Sequence, residues 1–306
     1  LSQEERIHLK IPGSTSNLGP GFDSIGLAID RYLHVQLEPS SDWSFHYIDF
    51  EETFPAGKEN MIYQAIEYIE EKYGHGRYAK PHTVTMESEL PLERGLGSSA
   101  AAIVAAVEIA DYAMDLGLSL DEKVHIATEF EGHADNVAAS LYGGLVIASG
   151  IRELGTISNT VENLEMIALI PSHKLKTTDS RSVLPNVLPH QEAVEASSIA
   201  NVFVAAALQN NWDLAGKLMK YDRFHEPYRK NLVPDLAYVR NYATQHGAFG
   251  VALSGAGPTL IVFTRVGTSQ QLRLKMEEEF PMYRCEVLLP ALSGVERSNR
   301  AFQINS

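Results

Sequence analysis

Residues 7–11 alternate apolar and polar, the period-two pattern of a half-buried strand, and residues 26–38 form a second β-rich stretch through Tyr32, Leu33, Val35 and Leu37. The period then changes. Across residues 61–73 the apolar positions Ile62, Ala65, Ile66 and Ile69 follow one helical face. Residues 82–90 alternate again through Val84 and Met86 and predict a strand. After Gly97, residues 98–116 predict a helix, and its run Ala100, Ala101, Ala102, Ala105 and Ala106 permits close packing against a neighbour. Helices are predicted over 120–131 and 134–141, the latter closed by Gly143 and Gly144, and a strand over 145–148. A polar loop (Ser158, Asn159, Thr160) then precedes an apolar strand at 166–170, which sets a domain boundary near Gly155. The second half predicts helices at 192–208, 212–219, 234–246 and 270–279. Its strands fall at 250–253, 259–264 and 285–289. Strands and helices do not alternate strictly, so the expected class is α+β, divided into residues 1–155 and 156–306.

Composition narrows the function. The 306 residues carry 25 Lys and Arg against 39 Asp and Glu, a net charge of −14, and 44% are hydrophobic. That apolar content suits a folded chain. The acidic balance argues against a nucleic-acid partner, though not against a local basic pocket for a small anion. The lone Cys285 excludes an intrachain disulfide and a cysteine-based zinc cluster. No apolar run approaches the ~20 residues of a membrane span. The first residues lack the basic-then-apolar order of a secretory signal. The expectation is a cytoplasmic protein with no membrane partner.

Three glycine-bearing segments carry the candidate chemistry. Pro91-Leu92-Glu93-Arg94-Gly95-Leu96-Gly97-Ser98-Ser99-Ala100-Ala101 reads as a strand end, a loop and a serine-capped helix start. Glycines there let backbone approach a ligand, and the N–H groups of a first helical turn attract an anion. An ordinary turn with a serine cap is the plainer reading. The segment matches neither the P-loop nor the dinucleotide fingerprint. Residues 12–26 are dense in turn formers and hold Asn17 and Asp23, which suit a small polar substrate or their own turn. Leu253-Ser254-Gly255-Ala256-Gly257-Pro258-Thr259 reads alone as a tight hairpin.

Together, in this order and spacing, the three segments resemble the motifs of the GHMP small-molecule kinases, which include galactose, homoserine and mevalonate kinases. Pro12-Gly13-Ser14-Thr15-Ser16-Asn17-Leu18-Gly19-Pro20-Gly21-Phe22-Asp23, the 91–101 segment, and Glu131-Gly132-His133-Ala134-Asp135-Asn136-Val137 resemble the homoserine kinases in particular. The likeness covers essentially the whole chain. It implies a ribosomal-protein S5-like amino-terminal domain that binds ATP and a ferredoxin-like carboxy-terminal domain. It implies that residues 91–101 wrap the ATP phosphates, with Arg94 a candidate to counter their charge. Mg²⁺ would be held by Ser98 or Ser99 and by Glu131, with Glu129 the second choice of acid. Asn60 would lie near the nucleotide base.

For the substrate the resemblance points to Asn17, Asp23, His133, Asn136, Thr177, Arg181 and Arg229. Two arginines suit an α-carboxylate and Asp23 an α-ammonium. His133 and Asn136 are three residues apart, which places them on one face of a helix. The implied reaction moves the γ-phosphoryl group of ATP to the hydroxyl of L-homoserine, a step of threonine biosynthesis. In it Asn136 orients the hydroxyl, and Asp135 is the rival choice as general base. A homodimer is a further implication of the family. A sister kinase for mevalonate, shikimate or a sugar, or a non-catalytic ligand sensor, is the alternative.

Overall fold

The alternation that starts at Ile7 runs further than its apolar positions suggest. Strand β1 spans Ile7–Asn17 and pairs antiparallel with the long β2, Gly21–Pro39. The ladder passes through the Pro12–Gly13 step by a bulge, where Pro12 faces Tyr32 and Gly13 faces Ile29. A bulge places the residue that cannot donate where the ladder already breaks. The first segment is therefore strand up to Asn17, with a tight turn only at residues 18–20.

The computed structural model describes residues 6–50, 52–150 and 155–302. After β2 come β3 (Ser44–Ile48), α1 (Met61–Tyr73), β4 (His82–Ser88), α2 (Ser98–Met114), α3 (Leu120–Glu131), α4 (Asp135–Tyr142), β5 (Leu145–Ala148) and β6 (Thr156–Asn159). The chain continues through β7 (Glu165–Pro171), α5 (Thr177–Ser182), α6 (His190–Leu208), α7 (Trp212–Met219), α8 (Glu226–Arg229), α9 (Leu236–Gln245) and β8 (Gly250–Leu253). It ends with β9 (Leu260–Thr264), α10 (Ser269–Glu279), β10 (Tyr283–Leu288) and β11 (Glu296–Ser298). One sheet has the order β11-β1-β2-β4-β3, with β5 on the other end of β2 and β6 on β5. Only β3 and β4 run parallel in it. The second sheet, β10-β7-β9-β8, is antiparallel throughout. The α+β expectation holds.

Local chemistry explains the helix ends. Asn60 caps α1 by accepting from the Ile62 N–H. Ser119 and Glu122 form a capping box at α3, and Gly132 closes it at φ +85°, in the left-handed region that glycine enters without strain. In β7 the period-two pattern divides two cores. Met166, Ala168 and Ile170 join the larger core with Phe203 and Phe263, whereas Ile167 and Leu169 join a smaller one with Val239, Leu272 and Met276. A one-residue slip of β7 would exchange those faces, so burial on both sides fixes its register.

The expected boundary after residue 155 falls between β5 and β6, which pair with each other in the first sheet. Passage to the second sheet comes at residues 160–164, and β11 returns to pair with β1. Short β3, β6 and β11 were not predicted: each has 3–5 residues, and of these only Phe45 is buried, so no apolar run marks them. Among the described residues, no helix is long and apolar enough to cross a membrane.

Candidate active site

The three glycine-bearing segments meet at one point. The Ser14 N–H donates to the Leu96 carbonyl at 3.2 Å and the Gly255 N–H to the Ser16 carbonyl at 3.2 Å. Ser254 Oγ lies 2.5 Å from the Gly95 carbonyl and 2.8 Å from Thr15 Oγ1, and Asn17 Nδ2 donates to the Gly255 carbonyl at 3.0 Å. Side-chain methyls would break this contact: a Cβ on Gly95 would sit 2.4 Å from the Ser254 carbonyl. Beside the junction opens a cleft of about 520 Å³.

Within the phosphate-binding candidate, Leu92, Glu93, Gly95, Gly97, Ser98, Ser99 and Ala100 line the cleft. Neither serine caps the helix. The cap residue of α2 is Gly97 at φ +75°, which offers no side chain, so the first-turn N–H groups face the cleft without a hydroxyl across them. Such uncapped amides and the helix dipole make an anion site. Arg94 departs from the expectation. It is buried, and its guanidinium donates to the carbonyls of Pro171 (3.0 Å), Leu92 (2.8 Å) and Ser172 (2.7 Å). It ties the loop to the end of β7 and does not line the cleft. Pro91 lies with it on the opposite side, in a groove with Pro171 and Met282, and Leu96 and Ala101 are core residues.

Ser99, rather than Ser98, reaches the acid: its Oγ donates to Glu131 Oε2 at 3.2 Å. Burial, the largest influence, raises the Glu131 pKa above the usual carboxylate value, and Asp135 adds to the rise against the pull of His133, Ser99 and Arg181. Glu129 is turned outward, where it accepts from Lys72, Tyr68 and Tyr73. His133 precedes α4 instead of lying on it, so it shares no helical face with Asn136. Asp135 joins the two: its Oδ1 accepts from His133 Nδ1 at 2.7 Å, from the Asn136 N–H at 2.7 Å and from Asn136 Nδ2 at 3.1 Å. Burial opposes the imidazolium of His133, but that hydrogen bond and the Asp135 and Glu131 charges outweigh it, and its pKa is raised. Asn136 is heavily committed, accepting from Ser14 Oγ and donating to Ser16 Oγ, each at 2.9 Å.

Arg181 and Arg229 are brought together. Their guanidinium carbons lie 5.6 and 5.5 Å from the centroid of the Phe22 ring. Arg181 grips the Asp23 carboxylate through both terminal nitrogens, at 2.6 and 3.2 Å. Arg229 is 2% exposed and held by the carbonyls of Ser180 and Gly255. Burial, then the Arg181 charge, pulls the Arg229 pKa down to about 10, so it stays cationic at neutral pH. Thr177 lines the cleft from the first turn of α5. Asn17 accepts from the Asp23 N–H at 3.0 Å, which with its bond to Gly255 makes it a brace of the turn.

Asp23, His133 and Asp135 present ligand atoms within 4.8 Å of one another. Arg181 already holds Asp23, and His133 holds Asp135. The far end of the cleft is aromatic, with Tyr47 and Phe54 rings 4.6 Å apart and Phe50 beside them. Asn60 borders this end, yet it caps α1 and donates to Tyr47 Oη (2.6 Å) and the Pro55 carbonyl (2.7 Å). Its amide hydrogens serve the protein. Sequence reasoning passed over Ser14, Ser16 and His225. The first two were hidden because residues 12–17 read as a turn, whereas the last was legible as the residue four before Arg229.

The family described as GHMP kinases N terminal domain matches residues 60–144, and GHMP kinases C terminal matches residues 203–281. The homoserine kinase of Bacillus velezensis is 44% identical over 305 residues, covering 97% of this chain and 97% of its own. That of Shouchella clausii is 44% identical over 288 residues, covering 94% and 96%. The crystal structure of homoserine kinase from Cytophaga hutchinsonii superposes with a TM-score of 0.84 at 27% identity, over 97% of this chain and 99% of that one. With both domains matched and relatives this similar along nearly their full length, the chain belongs to the GHMP kinase family, on its homoserine kinase branch.

Proposed function

We propose that the protein transfers the γ-phosphoryl group of ATP to the side-chain hydroxyl of L-homoserine, giving O-phospho-L-homoserine and ADP. The observation that carries the reading is one cleft holding an uncapped helix start at one side and a carboxylate with two guanidiniums around a single ring at the other. The first suits a polyphosphate, the second a zwitterionic amino acid. The aromatic end around Tyr47 and Phe54 suits the base.

Each group has a task in this reading. The amides of residues 98–100 hold phosphate oxygens. Arg229, with Arg181, receives the α-carboxylate, and Asp23 exchanges part of its pairing with Arg181 for the α-ammonium. Glu131 and the Ser99 hydroxyl offer hard oxygen donors of the kind Mg²⁺ takes, and burial that penalises the Glu131 anion favours its pairing with a cation. A Mg²⁺ ion held by these two residues would supply neutralisation of phosphate charge. His133, held by Asp135 at Nδ1, directs its Nε2 toward Glu131 at 3.9 Å and offers positive charge near the transferred group.

Asp135 spends Oδ1 on three donors from His133 and Asn136, which gives it the task of holding those two side chains in place. The acceptor hydroxyl is aligned beside Asn136, whose Oδ1 keeps one lone pair beyond the Ser14 bond, and its proton leaves late to the phosphoryl oxygens. Loose phosphoryl transfer depends chiefly on positioning and charge, so no committed base is needed. An ADP-coupled assay with homoserine, mevalonate, shikimate and galactose tests the function. Turnover is expected with homoserine, and preference for any of the others refutes the assignment.

A further inference from the structure

His225 has no exposed surface, and the chemistry of its partners fixes which ring nitrogen accepts and which donates. Nδ1 lies 3.0 Å from Arg229 Nη1, and Nε2 lies 2.9 Å from the Gly19 carbonyl oxygen. A guanidinium only donates and a carbonyl only accepts. Nδ1 is therefore the acceptor and Nε2 carries the hydrogen, with Asp222 Oδ2 3.6 Å from Nε2 as well. The ring also stacks on Phe22, with centroids 5.2 Å apart and planes at 20°. Asp222 fixes the approach to α8 by accepting from the N–H groups of Phe224, His225 and Glu226.

The donors of Arg229 can be followed one by one. Nε gives its hydrogen to the Ser180 carbonyl, and Nη1 gives its two to His225 and to the Gly255 carbonyl. Among the described residues Nη2 has no partner, so it is the edge left for a ligand. His225 thus decides which edge of the guanidinium the cleft receives. Through Gly19 and Phe22 the same ring holds the turn that ends in Asp23.

We infer that His225 is a positioning residue that fixes the separation between the carboxylate-binding edge of Arg229 and the ammonium-binding Asp23, and so tunes the site to an α-amino acid. The inference rests on the proposed roles of Arg229 and Asp23. A residue that only stabilised the fold would affect both substrates. His225→Phe keeps the ring stack but removes the acceptor and the donor. The acceptor KM is expected to rise by about ten-fold or more, from a buried charged donor left unpaired. The ATP KM is expected to stay within about two-fold. His225→Gln carries one acceptor and one donor on its amide and is expected to recover most of the loss.

An unchanged acceptor KM in His225→Phe, an equal rise in both KM values, or a Gln variant no better than Phe overturns the inference. If His225→Phe does not fold, ¹⁵N NMR of histidine-labelled wild-type protein decides. A bare Nδ1 with a protonated Nε2 supports the assignment, and an Nδ1–H tautomer or an imidazolium at neutral pH overturns it. Absence of homoserine turnover by the wild type would defeat the kinase reading, whereas the tautomer measurement bears on His225 alone.

Discussion

Replacing Asp23 by Asn separates recognition from stability at the Asp23–Arg181 pair. The pair is well aligned, at 2.6 and 3.2 Å, but Asp23 and Arg181 are 34% and 36% exposed. At that exposure an ion pair contributes about 0.2–1 kcal/mol to folding. In a chain of this length such a loss lowers Tm by no more than about 2–4 °C. An ammonium docked on the same carboxylate makes a charge-assisted bond worth about 1.5–3 kcal/mol. Its loss raises the KM for homoserine by about 10- to 150-fold. The assay is ADP-coupled turnover at saturating ATP, with thermal melts of both proteins in the same buffer. An analogue lacking the amino group gives a second reading, because Asp23→Asn should discriminate against it far less than the wild type does. A homoserine KM within about two-fold of wild type, with a Tm drop well beyond the ion-pair range, would show the pair to be structural and refute the reasoning.

Gly97→Ala would place a Cβ 2.4 Å from Ser14 Oγ and 2.7 Å from the Ser14 nitrogen, in a backbone at φ +75°. The left-handed strain alone is about 1–2 kcal/mol, and titration with an ATP analogue should show affinity reduced by about ten-fold or more. Glu131→Gln should reduce turnover by on the order of 100-fold or more yet raise Tm at any pH above the raised Glu131 pKa, where the carboxylate is ionised against burial. Because that pKa is raised, the Tm advantage should vanish as pH falls through it and both side chains become neutral; melts across pH check this. Asp135→Asn removes the larger of the two carboxylate influences on the His133 imidazolium and leaves only Glu131 against burial, the largest influence, so NMR titration should show the His133 pKa falling from above its ordinary value to below it. Chelation with EDTA should weaken ATP binding by about ten-fold or more, as expected of a polyphosphate site that relies on a divalent cation; equal affinity with and without Mg²⁺ counts against Glu131 and Ser99 as its ligands.

Periodicity located the long elements because each buries one face. Met61–Tyr73, Leu120–Glu131 and Trp212–Met219 end where their apolar spacing ends. It failed where turn-forming residues sit in a strand or where the element is short. Residues 12–17 looked like a turn because Pro12, Gly13 and three hydroxyls are turn formers, yet pairing with β2 overrides that propensity. Short α5 and α8 lack a full repeat, and they are the elements that carry Thr177, Arg181 and Arg229. The three glycine-bearing segments were legible because close backbone contact restricts the residue type at each position. Which polar side chains face the cleft was not, since that depends on partners far along the chain. Arg94 is taken by carbonyls at 171 and 172, and Asn60 by Tyr47 and Pro55.

The direction Arg94 takes also bears on how a chain of net charge −14 holds a polyanion. The basic side chains lining the cleft, among the described residues, are Arg181, Arg229 and His133, against six acids including Glu59, Glu93 and Glu131. The two arginines are grouped around Phe22 at the acceptor end, and Arg94 faces β7. Apart from His133, the proposed phosphate turn at Gly97 therefore relies on backbone amides rather than on basic side chains. Fixed N–H dipoles there lose no side-chain rotamer entropy on binding and discriminate by geometry. In the proposed reading the fixed cations around Phe22 serve the acceptor, where an α-carboxylate needs planar donors more than net charge. On that proposal, separating the two kinds of anion recognition would keep a phosphate group from competing for the carboxylate site, and it would leave Glu131 to balance its own buried charge with a metal ion carried in by the nucleotide.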